Sequence, residues 1–252
     1  MEPNLTKKEM QETLSTLCKS LKLSQGLADR AMTYANADCQ KFLCDLLSQE
    51  VLNRKEKRIL KKLNSAGFPK RYSKEDFDAS EVEFPSGLTY ELLLSLGFFK
   101  NKKNIVMQGA SGTGKSMLST IIGQEFAYND VMIYYSRTSA LIKALATSSF
   151  RGESESILTK LREAQVIILD EFGYVSYDLK GVQILFDFVS EVNEKKSFIV
   201  NTNSKFSQWG DYISDNKLTQ ALLGRFVDNS YILRFNGRDR RLDSHIPSKN
   251  NA

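Results

Sequence analysis

Residues 104–116 read Asn-Ile-Val-Met-Gln-Gly-Ala-Ser-Gly-Thr-Gly-Lys-Ser, and this stretch decides the fold. Its second part, from Gly109 to Ser116, matches the pattern G-x-x-x-x-G-K-[S/T] at every fixed position. A short apolar run precedes the pattern, and an amphipathic stretch, residues 117–126, follows it. Glycines at this spacing allow successive backbone N–H groups to point into one anion-sized hollow at a helix N-terminus. The stretch therefore predicts a strand, a phosphate-binding loop and a helix.

The side chains of the loop indicate a nucleotide with Mg²⁺. Lys115 is placed to reach β- and γ-phosphates as a point charge, and the Ser116 hydroxyl is placed to bind Mg²⁺. A glycine turn that merely precedes a helix is the alternative, which the flanking strand and helix patterns disfavour. The predicted nucleotide-binding residues of the loop are Gly109, Ser111, Gly112, Thr113, Gly114, Lys115 and Ser116.

A second stretch, residues 166–171, is an apolar run closed by two carboxylates. Such a run is typical of a strand that is buried on both faces of a parallel sheet. Asp170 at the strand end is predicted to bind the nucleotide through the Mg²⁺ shell, and Glu171 is predicted to polarise the attacking water. Two acids at a strand end can also be a simple polar exit from the core. The phosphate-loop pattern in the same chain favours the catalytic interpretation.

The bulk composition excludes several classes of protein. The 252 residues carry 35 Lys and Arg against 30 Asp and Glu, a mild basic excess that fits an anionic partner. No long uncharged run is present, and the first ten residues are polar, so we expect neither a membrane segment nor a signal peptide. Three cysteines without C-x-x-C spacing indicate neither a disulfide framework nor a zinc site, which is typical of a reducing cytoplasm.

The chain divides into four parts by pattern. Residues 1–68 show helical spacing of apolar residues and predict a small all-helical domain, termed the adaptor domain, and residues 69–85 are polar and predict a linker. Residues 86–243 alternate helix and strand patterns, which predicts an ATPase domain with a parallel sheet covered by helices on both faces. Residues 244–252 form a polar tail. Ligand is expected at the carboxyl ends of the strands.

A basic helix face is predicted near the end of the adaptor domain. At 100° per residue, four apolar residues cluster on one side of the helix while six basic residues spread over the other. Backbone phosphates of DNA are matched by Lys and Arg, but a basic helix face is more often only solvated. The apolar set is Leu52, Ile59, Leu60 and Leu63, and the predicted DNA-binding set is Arg54, Lys55, Lys57, Arg58, Lys61 and Lys62.

Three further motifs carry a resemblance to a known family. They are Asp-Glu-Phe-Gly-Tyr at residues 170–174, Phe-Ser-Gln-Trp-Gly at 206–210 and Ala-Leu-Leu-Gly-Arg-Phe at 221–226. In this order they resemble motifs of the IstB group of insertion-sequence helper ATPases, relatives of the DnaC helicase loader within the AAA+ class. The resemblance runs from about residue 14 to residue 242, and the F-x-x-W-G motif is its narrowest part.

The resemblance implies a fold and a function. The fold is an α/β AAA+ P-loop NTPase, whose five parallel strands, numbered along the chain, lie in the order 5-1-4-3-2 behind a small all-helical domain. The function is that of an Mg²⁺-dependent ATPase of the bacterial cytoplasm. It binds ATP, forms a homo-oligomer on double-stranded DNA, bends the DNA and recruits a cognate transposase. No membrane partner is expected.

The resemblance also assigns roles to three polar residues. Asn203 matches the sensor that orients water near the γ-phosphate, although an asparagine at a strand end is often only a turn former. Arg225 matches the arginine finger that ring-forming ATPases supply to the neighbouring subunit. The closing family motif G-x-S-Y-R reads Gly-Arg-Asp-Arg-Arg at residues 237–241, so Arg241 is the best match for its nucleotide-binding arginine.

Three other functions remain open on sequence alone. A helicase loader of the DnaC kind would share the ATPase core and differ in the partner of its helical domain. A small-molecule kinase is disfavoured, because residues 127–165 show no arginine-rich lid and an Asp-Glu pair suits water activation. A nucleotide-gated scaffold with negligible turnover would carry the same motifs.

Overall fold

The computed structural model describes residues 6–24, 26–147 and 153–239. The chain divides into two compact units, with the boundary between Lys61 and Lys62. Each unit has its own hydrophobic core and is described separately. Among the described residues, no helix combines the length and apolarity needed to cross a membrane.

The first unit is helical, as predicted. Helices α1 (Lys7–Leu21) and α2 (Gly26–Tyr34) and most of α3 (Ala37–Ser65) form it. Helix α1 begins at a capping box, in which the Thr6 hydroxyl accepts from the Glu9 N–H and the Glu9 carboxylate accepts from the Thr6 N–H at 2.7 Å. The small core that these helices share consists of Leu14, Cys18, Leu21, Ala28, Ala31, Cys44 and Leu47.

The second unit contains a six-stranded sheet within the described residues. Its strands are β1 (Val82–Glu83), β2 (Asn104–Gly109), β3 (Ile133–Arg137), β4 (Val166–Phe172), β5 (Ser197–Thr202) and β6 (Ser230–Phe235). The order is β1-β6-β2-β5-β4-β3. Strands β2 to β6 run parallel and confirm the predicted order of five strands, whereas the short β1 pairs antiparallel with β6 and was not predicted.

Helices cover both faces of this sheet. Ile167 and Leu169 of β4 enter one core, while Ile168 between them faces Gly123 on the other side. Alternation of this kind is expected of a strand buried on both faces. The helices of this unit are α4 (Tyr90–Leu94), α5 (Gly97–Lys100), α6 (Lys115–Tyr128), α7 (Thr138–Thr147), α8 (Glu153–Glu163), α9 (Leu179–Val192) and α10 (Asn216–Val227). The core on the first face is shared by α7, α8, α9, α10, β4 and β5.

The structure corrects one predicted helix. The apolar pattern of residues 88–98 predicts a single helix, but two short helices, α4 and α5, occupy this region. Leu96 between them has φ 60°, in the left-handed region, and this conformation ends one helix before the next begins. A leucine seldom takes this conformation, so the sequence pattern did not reveal the break.

Residues 69–85, predicted as a linker, pack as part of the second unit. The Tyr72 N–H donates to Gln124 Oε1 at 3.0 Å, and Gln124 Nε2 donates back to the Tyr72 carbonyl at 2.6 Å. The buried Phe77 ring stacks on Tyr90 with centroids 5.6 Å apart, and β1 pairs with the sheet edge. The boundary between the compact units falls between Lys61 and Lys62, within α3, whereas the predicted domain boundary is at residue 68.

Candidate active site

The phosphate-loop pattern lies at the carboxyl end of β2, in the middle of the sheet. Strand β2 pairs with β5 on one side and β6 on the other, and α6 begins at Lys115 directly after the loop. Gly114 takes φ 103° as the cap residue of α6, in a region where a side chain would be strained. The loop therefore presents the N-terminus of a buried helix to the end of the sheet.

The Lys115 side chain is buried and folded over the loop. Its Nζ donates to the carbonyls of Gly109 at 2.6 Å and Ala110 at 2.5 Å. The Thr113 hydroxyl donates to the same Ala110 carbonyl at 2.8 Å, so Thr113 holds the shape of the loop. These contacts hold a cationic group at the loop, beside the N-terminus of α6, and a cation at a helix N-terminus is an arrangement that binds phosphate.

A cavity of about 550 Å³ opens beside the loop and collects most of the predicted site residues. The predicted residues that line it are Ser111, Gly112, Gly114, Lys115, Ser116, Asp170, Glu171 and Asn203. Gly109, Thr113 and Arg225 are not among the lining residues, and Arg241 lies outside the described residues. Five lining residues were not predicted, namely Tyr72, Met117, Arg137, Tyr174 and Asn201.

The Asp170 carboxylate is held by donors from four directions. Its Oδ1 accepts from Ser116 Oγ at 2.9 Å, from Asn201 Nδ2 at 2.9 Å and from the Glu171 N–H at 3.0 Å. Its Oδ2 accepts from the Tyr135 hydroxyl. The Ser116 hydroxyl and the Asp170 carboxylate are therefore in contact at the wall of the cavity.

This pair of oxygen ligands fits Mg²⁺ at a phosphate site. Mg²⁺ usually keeps several waters and binds one or two carboxylates together with substrate phosphates. The described residues contain no group of three or more His, Cys, Asp or Glu side chains that would hold a metal by itself. A hydroxyl and a carboxylate beside a phosphate loop suit a metal that arrives with a nucleotide.

Tyr135 and Asn201 are functional candidates whose contact with Asp170 the sequence did not predict. Tyr135 lies on β3, and burial together with the nearby Asp170 carboxylate raises the pKa of its hydroxyl, which keeps it a proton donor. Asn201 on β5 also donates to Ser119 Oγ at 2.8 Å, which ties Asp170 to helix α6. Both residues come from strands that flank β4, so their contact with Asp170 becomes visible only once the strand order is known.

Glu171 has a strained backbone at the mouth of the cavity. Its φ is 56°, and it lies where the pairing of β4 and β5 shifts register between Leu169 and Phe172. Backbone strain of this kind in a non-glycine residue is concentrated at functional sites. The Glu171 side chain is 39% exposed, and its Oε2 lies 3.4 Å from Arg137 Nε. The carboxylate therefore faces the cavity with one arginine beside it.

The turn after Glu171 is held by a buried tyrosine. The Gly173 N–H donates to the Tyr177 hydroxyl at 2.7 Å, and this hydroxyl donates to the Glu171 carbonyl at 3.4 Å. Burial raises the pKa of Tyr177 to about 12. The hydroxyl thus stays protonated at neutral pH and keeps both hydrogen bonds.

The F-x-x-W-G motif packs against this turn. Trp209 is fully buried, and its ring lies 4.0 Å from that of Phe172, centroid to centroid. The Ser204 hydroxyl donates to the Gly173 carbonyl at 2.9 Å. Two motifs that are separate in sequence therefore form one packed structure that fixes the residues after Asp170 and Glu171.

Replacing Trp209 by alanine is expected to lower the free energy of unfolding by about 3–5 kcal/mol, because a fully buried indole leaves a cavity. Urea unfolding followed by circular dichroism measures this change. The matched control is Tyr128→Ala, which removes an aromatic ring that is 47% exposed and should cost less than about 1 kcal/mol. Equal losses for the two variants would contradict the structural role of the motif.

Arg225 and Asn203 occupy different places. Asn203 follows β5 and lines the cavity, within the set that contains Lys115 and Asp170. Arg225 is exposed on α10, and Asn104 Nδ2 donates to its carbonyl at 3.1 Å. An arginine that serves a neighbouring subunit must be exposed in this way, so the location fits a role between subunits.

The predicted basic face of α3 is only partly available. Arg54 donates to Glu50 Oε1 at 2.7 Å and to the Leu21 carbonyl at 3.2 Å. Lys62 belongs to the second unit, where its Nζ lies 2.7 Å from Asp130 Oδ1 and its side chain is 16% exposed. The remaining predicted residues, Lys55, Lys57, Arg58 and Lys61, are exposed.

The predicted apolar side of this helix needs correction. Leu63 is buried, but Leu52 and Leu60 are 58% and 48% exposed. The stretch from Leu52 to Arg58 is exposed at every residue, so helical periodicity alone overstated how much of this helix is covered.

Comparison with known proteins agrees with the geometry. A family model described as IstB-like ATP binding protein matches residues 12–248. An ATP-binding protein of insertion sequence IS232 from Bacillus thuringiensis subsp. berliner is 28% identical over 211 residues, which cover 82% of this chain and 83% of that protein. An ATP-binding protein of insertion sequence IS5376 from Geobacillus stearothermophilus is 27% identical over 239 residues, 92% of this chain and 95% of that protein.

A solved structure shares the fold. The crystal structure of DnaI superposes with a TM-score of 0.53 at 19% identity and covers 68% of this chain and 91% of that chain. At this level of identity the likeness shows the fold alone.

Proposed function

Because the chain belongs to the family of IstB-like ATP-binding proteins and is an ATPase with the AAA+ fold, we propose that it is an ATP-driven helper of DNA transposition. In this role it assembles as a homo-oligomer on double-stranded DNA, deforms the DNA and recruits a partner transposase. The observation that carries the proposal is the single cavity that brings Lys115, Ser116, Asp170, Glu171 and Asn203 together. The relatives that are ATP-binding proteins of insertion sequences supply its context.

The side chains of the cavity have distinct roles in ATP hydrolysis. The loop N–H groups and Lys115 hold the phosphates, and Ser116 and Asp170 hold Mg²⁺, which neutralises charge on the phosphates when bound. Glu171 accepts a proton from the attacking water, and Asn203 orients that water. Tyr135 and Asn201 do not touch the nucleotide in this scheme but keep the Asp170 carboxylate in position.

Assembly and DNA binding involve residues outside the cavity. The exposed basic residues Lys55, Lys57, Arg58 and Lys61 contact the DNA backbone, which gives affinity without reading the base sequence. Arg225 stabilises charge on the nucleotide of the neighbouring subunit, so full turnover requires assembly. We assign Arg241 to the nucleotide on the family resemblance alone.

A helicase loader would use the same ATPase fold, and the likeness to DnaI does not separate the two functions because it shows only the fold. The preferred DNA does separate them. The exposed basic residues of α3 favour direct contact with a duplex.

The test is equilibrium binding to labelled duplexes of increasing length and to one single strand, with ATP, ADP or no nucleotide, at one fixed salt concentration. We expect ATP-dependent binding that tightens with duplex length. Changing Lys55 and Lys57 together to glutamate should weaken duplex binding at least about tenfold, because two cationic contacts become repulsive. The control pair Lys7→Glu and Lys8→Glu, exposed on α1, should change it less than about threefold.

Two outcomes of this experiment would contradict the proposal. A preference for the single strand would support the helicase loader instead. Equal weakening by the α1 and α3 variants would show that DNA binding depends only on net charge. It would contradict the assignment of the DNA contact to α3.

A further inference from the structure

The segment that follows β6 runs beside the phosphate loop and is held there at two points. The Phe235 carbonyl lies so close to Gly109 that a Cβ on that glycine would overlap it. One residue later, the Asn236 N–H donates to the Glu81 carbonyl at 3.2 Å. The Glu81 carboxylate also lies against Gly237, where a Cβ would overlap it. These contacts set the path of the chain as far as Gly237.

Two residues further on, the Asp239 side chain lies against the loop at Gly112. A Cβ built on Gly112 would fall on the Asp239 carboxylate, with Oδ1, Cγ and Oδ2 as its nearest neighbours. Gly112 takes φ 78°, lines the cavity and stands three residues before Lys115. The carboxylate of Asp239 therefore contacts the phosphate loop at Gly112.

The charge of the loop explains why the Asp239 carboxylate lies beside it. The loop gathers backbone N–H groups and the Lys115 cation, so it attracts an anion whether or not a nucleotide is present. A carboxylate and a phosphate carry like charges, and they do not share one small site without a large energetic cost. A nucleotide phosphate that enters the loop must therefore move the Asp239 side chain away.

We propose that Asp239 is an internal competitor of the nucleotide: its carboxylate occupies the phosphate loop when ATP is absent and is displaced when ATP binds. This inference rests on the proposed ATP site and adds a way in which ATP binding at that site is regulated. Displacement couples nucleotide binding to a movement of residues 238–239, since Phe235 and Asn236 stay fixed to the sheet and to Glu81. Observed ATP affinity is then lower than the intrinsic affinity by the fraction of molecules with an open loop.

The test compares the wild type with Asp239→Asn, which keeps the size of the side chain and removes its charge. Titration with a fluorescent ATP analogue in the presence of Mg²⁺ gives the dissociation constant of each full-length protein. We expect Asp239→Asn to bind ATP at least about fivefold more tightly. Without its charge, residue 239 is no longer attracted to the cationic loop and competes less with the phosphates. Asp239→Ser, which places the residue of the resembled family motif here, should also bind more tightly. Glu163→Gln on the exposed end of α8 is the control and should change affinity less than about twofold.

The outcomes distinguish this inference from the proposed function. Wild-type binding of the analogue with equal or weaker binding by both Asp239 variants would overturn the inference, because the acid would then be neutral or would help to bind the nucleotide. Absence of binding by the wild type and by both variants would overturn the proposed ATP site together with it. Thermal unfolding of each variant confirms that folded proteins are being compared.

Discussion

Lys115→Ala protein is expected to lose at least about 100-fold in ATP affinity, which corresponds to about 2.7 kcal/mol. The reason is the position of Nζ, which the carbonyls of Gly109 and Ala110 hold at 2.6 and 2.5 Å over the loop. Lys115 is also the one lysine that lines the cavity among the residues of the structure described above. Charge-assisted contacts to phosphate are about twice as strong as neutral hydrogen bonds. Isothermal titration calorimetry with ATP and Mg²⁺ measures the loss.

Two companion proteins make this result interpretable. Lys160→Ala removes an exposed lysine from α8 and should bind ATP as the wild type does. Lys115→Met keeps most of the alkyl chain without the charge, so it should lose affinity as Lys115→Ala does while packing is preserved. Wild-type affinity in either Lys115 variant would show that the loop does not hold the phosphates through this side chain.

Glu171→Gln protein is expected to hydrolyse ATP at least about 100-fold more slowly, with an ATP dissociation constant within about threefold of the wild-type value. Glutamine has nearly the same size and fits the same backbone, but its amide cannot accept the proton of the attacking water. Because the ion pair of the Glu171 carboxylate is with the exposed side chain of Arg137, its loss should cost little binding. Steady-state release of phosphate gives the rate.

Glu194→Gln is the matched control for this change. Glu194 is an exposed residue after α9 with φ 62°, so it repeats the chemistry of the substitution on the same kind of strained backbone. Its turnover should equal that of the wild type. Retained hydrolysis in Glu171→Gln would place the catalytic base elsewhere, and a large loss of ATP binding would make Glu171 a nucleotide-positioning residue.

The parts of the site that lie close in sequence were predictable. The loop pattern predicted the strand, loop and helix around residues 109–116, because its glycines and its lysine lie within a few residues of each other. The apolar patterns at residues 197–202 and 230–235 predict two strands, and β5 and β6 have these bounds. The strand order followed from the family resemblance, and the structure has it.

The contacts that join distant parts of the chain were not predictable in the same way. Tyr135 and Asn201 reach Asp170 only because β3 and β5 flank β4 in the sheet. Arg137 pairs with Glu171 for the same reason. Asp239 could be seen as a departure from the resembled motif, but its position in the loop depends on the path set by Phe235 and Glu81. No local pattern records such contacts.

Mass photometry of the Glu171→Gln protein on one duplex, with ATP and then with ADP, tests the central claim most directly. This variant is expected to keep ATP bound, so the assembled state should accumulate. We predict complexes of several subunits on the duplex with ATP and a shift to free subunits and bare duplex with ADP. A mass that is the same with both nucleotides, or that never exceeds one subunit per duplex, would contradict an ATP-driven assembly on DNA.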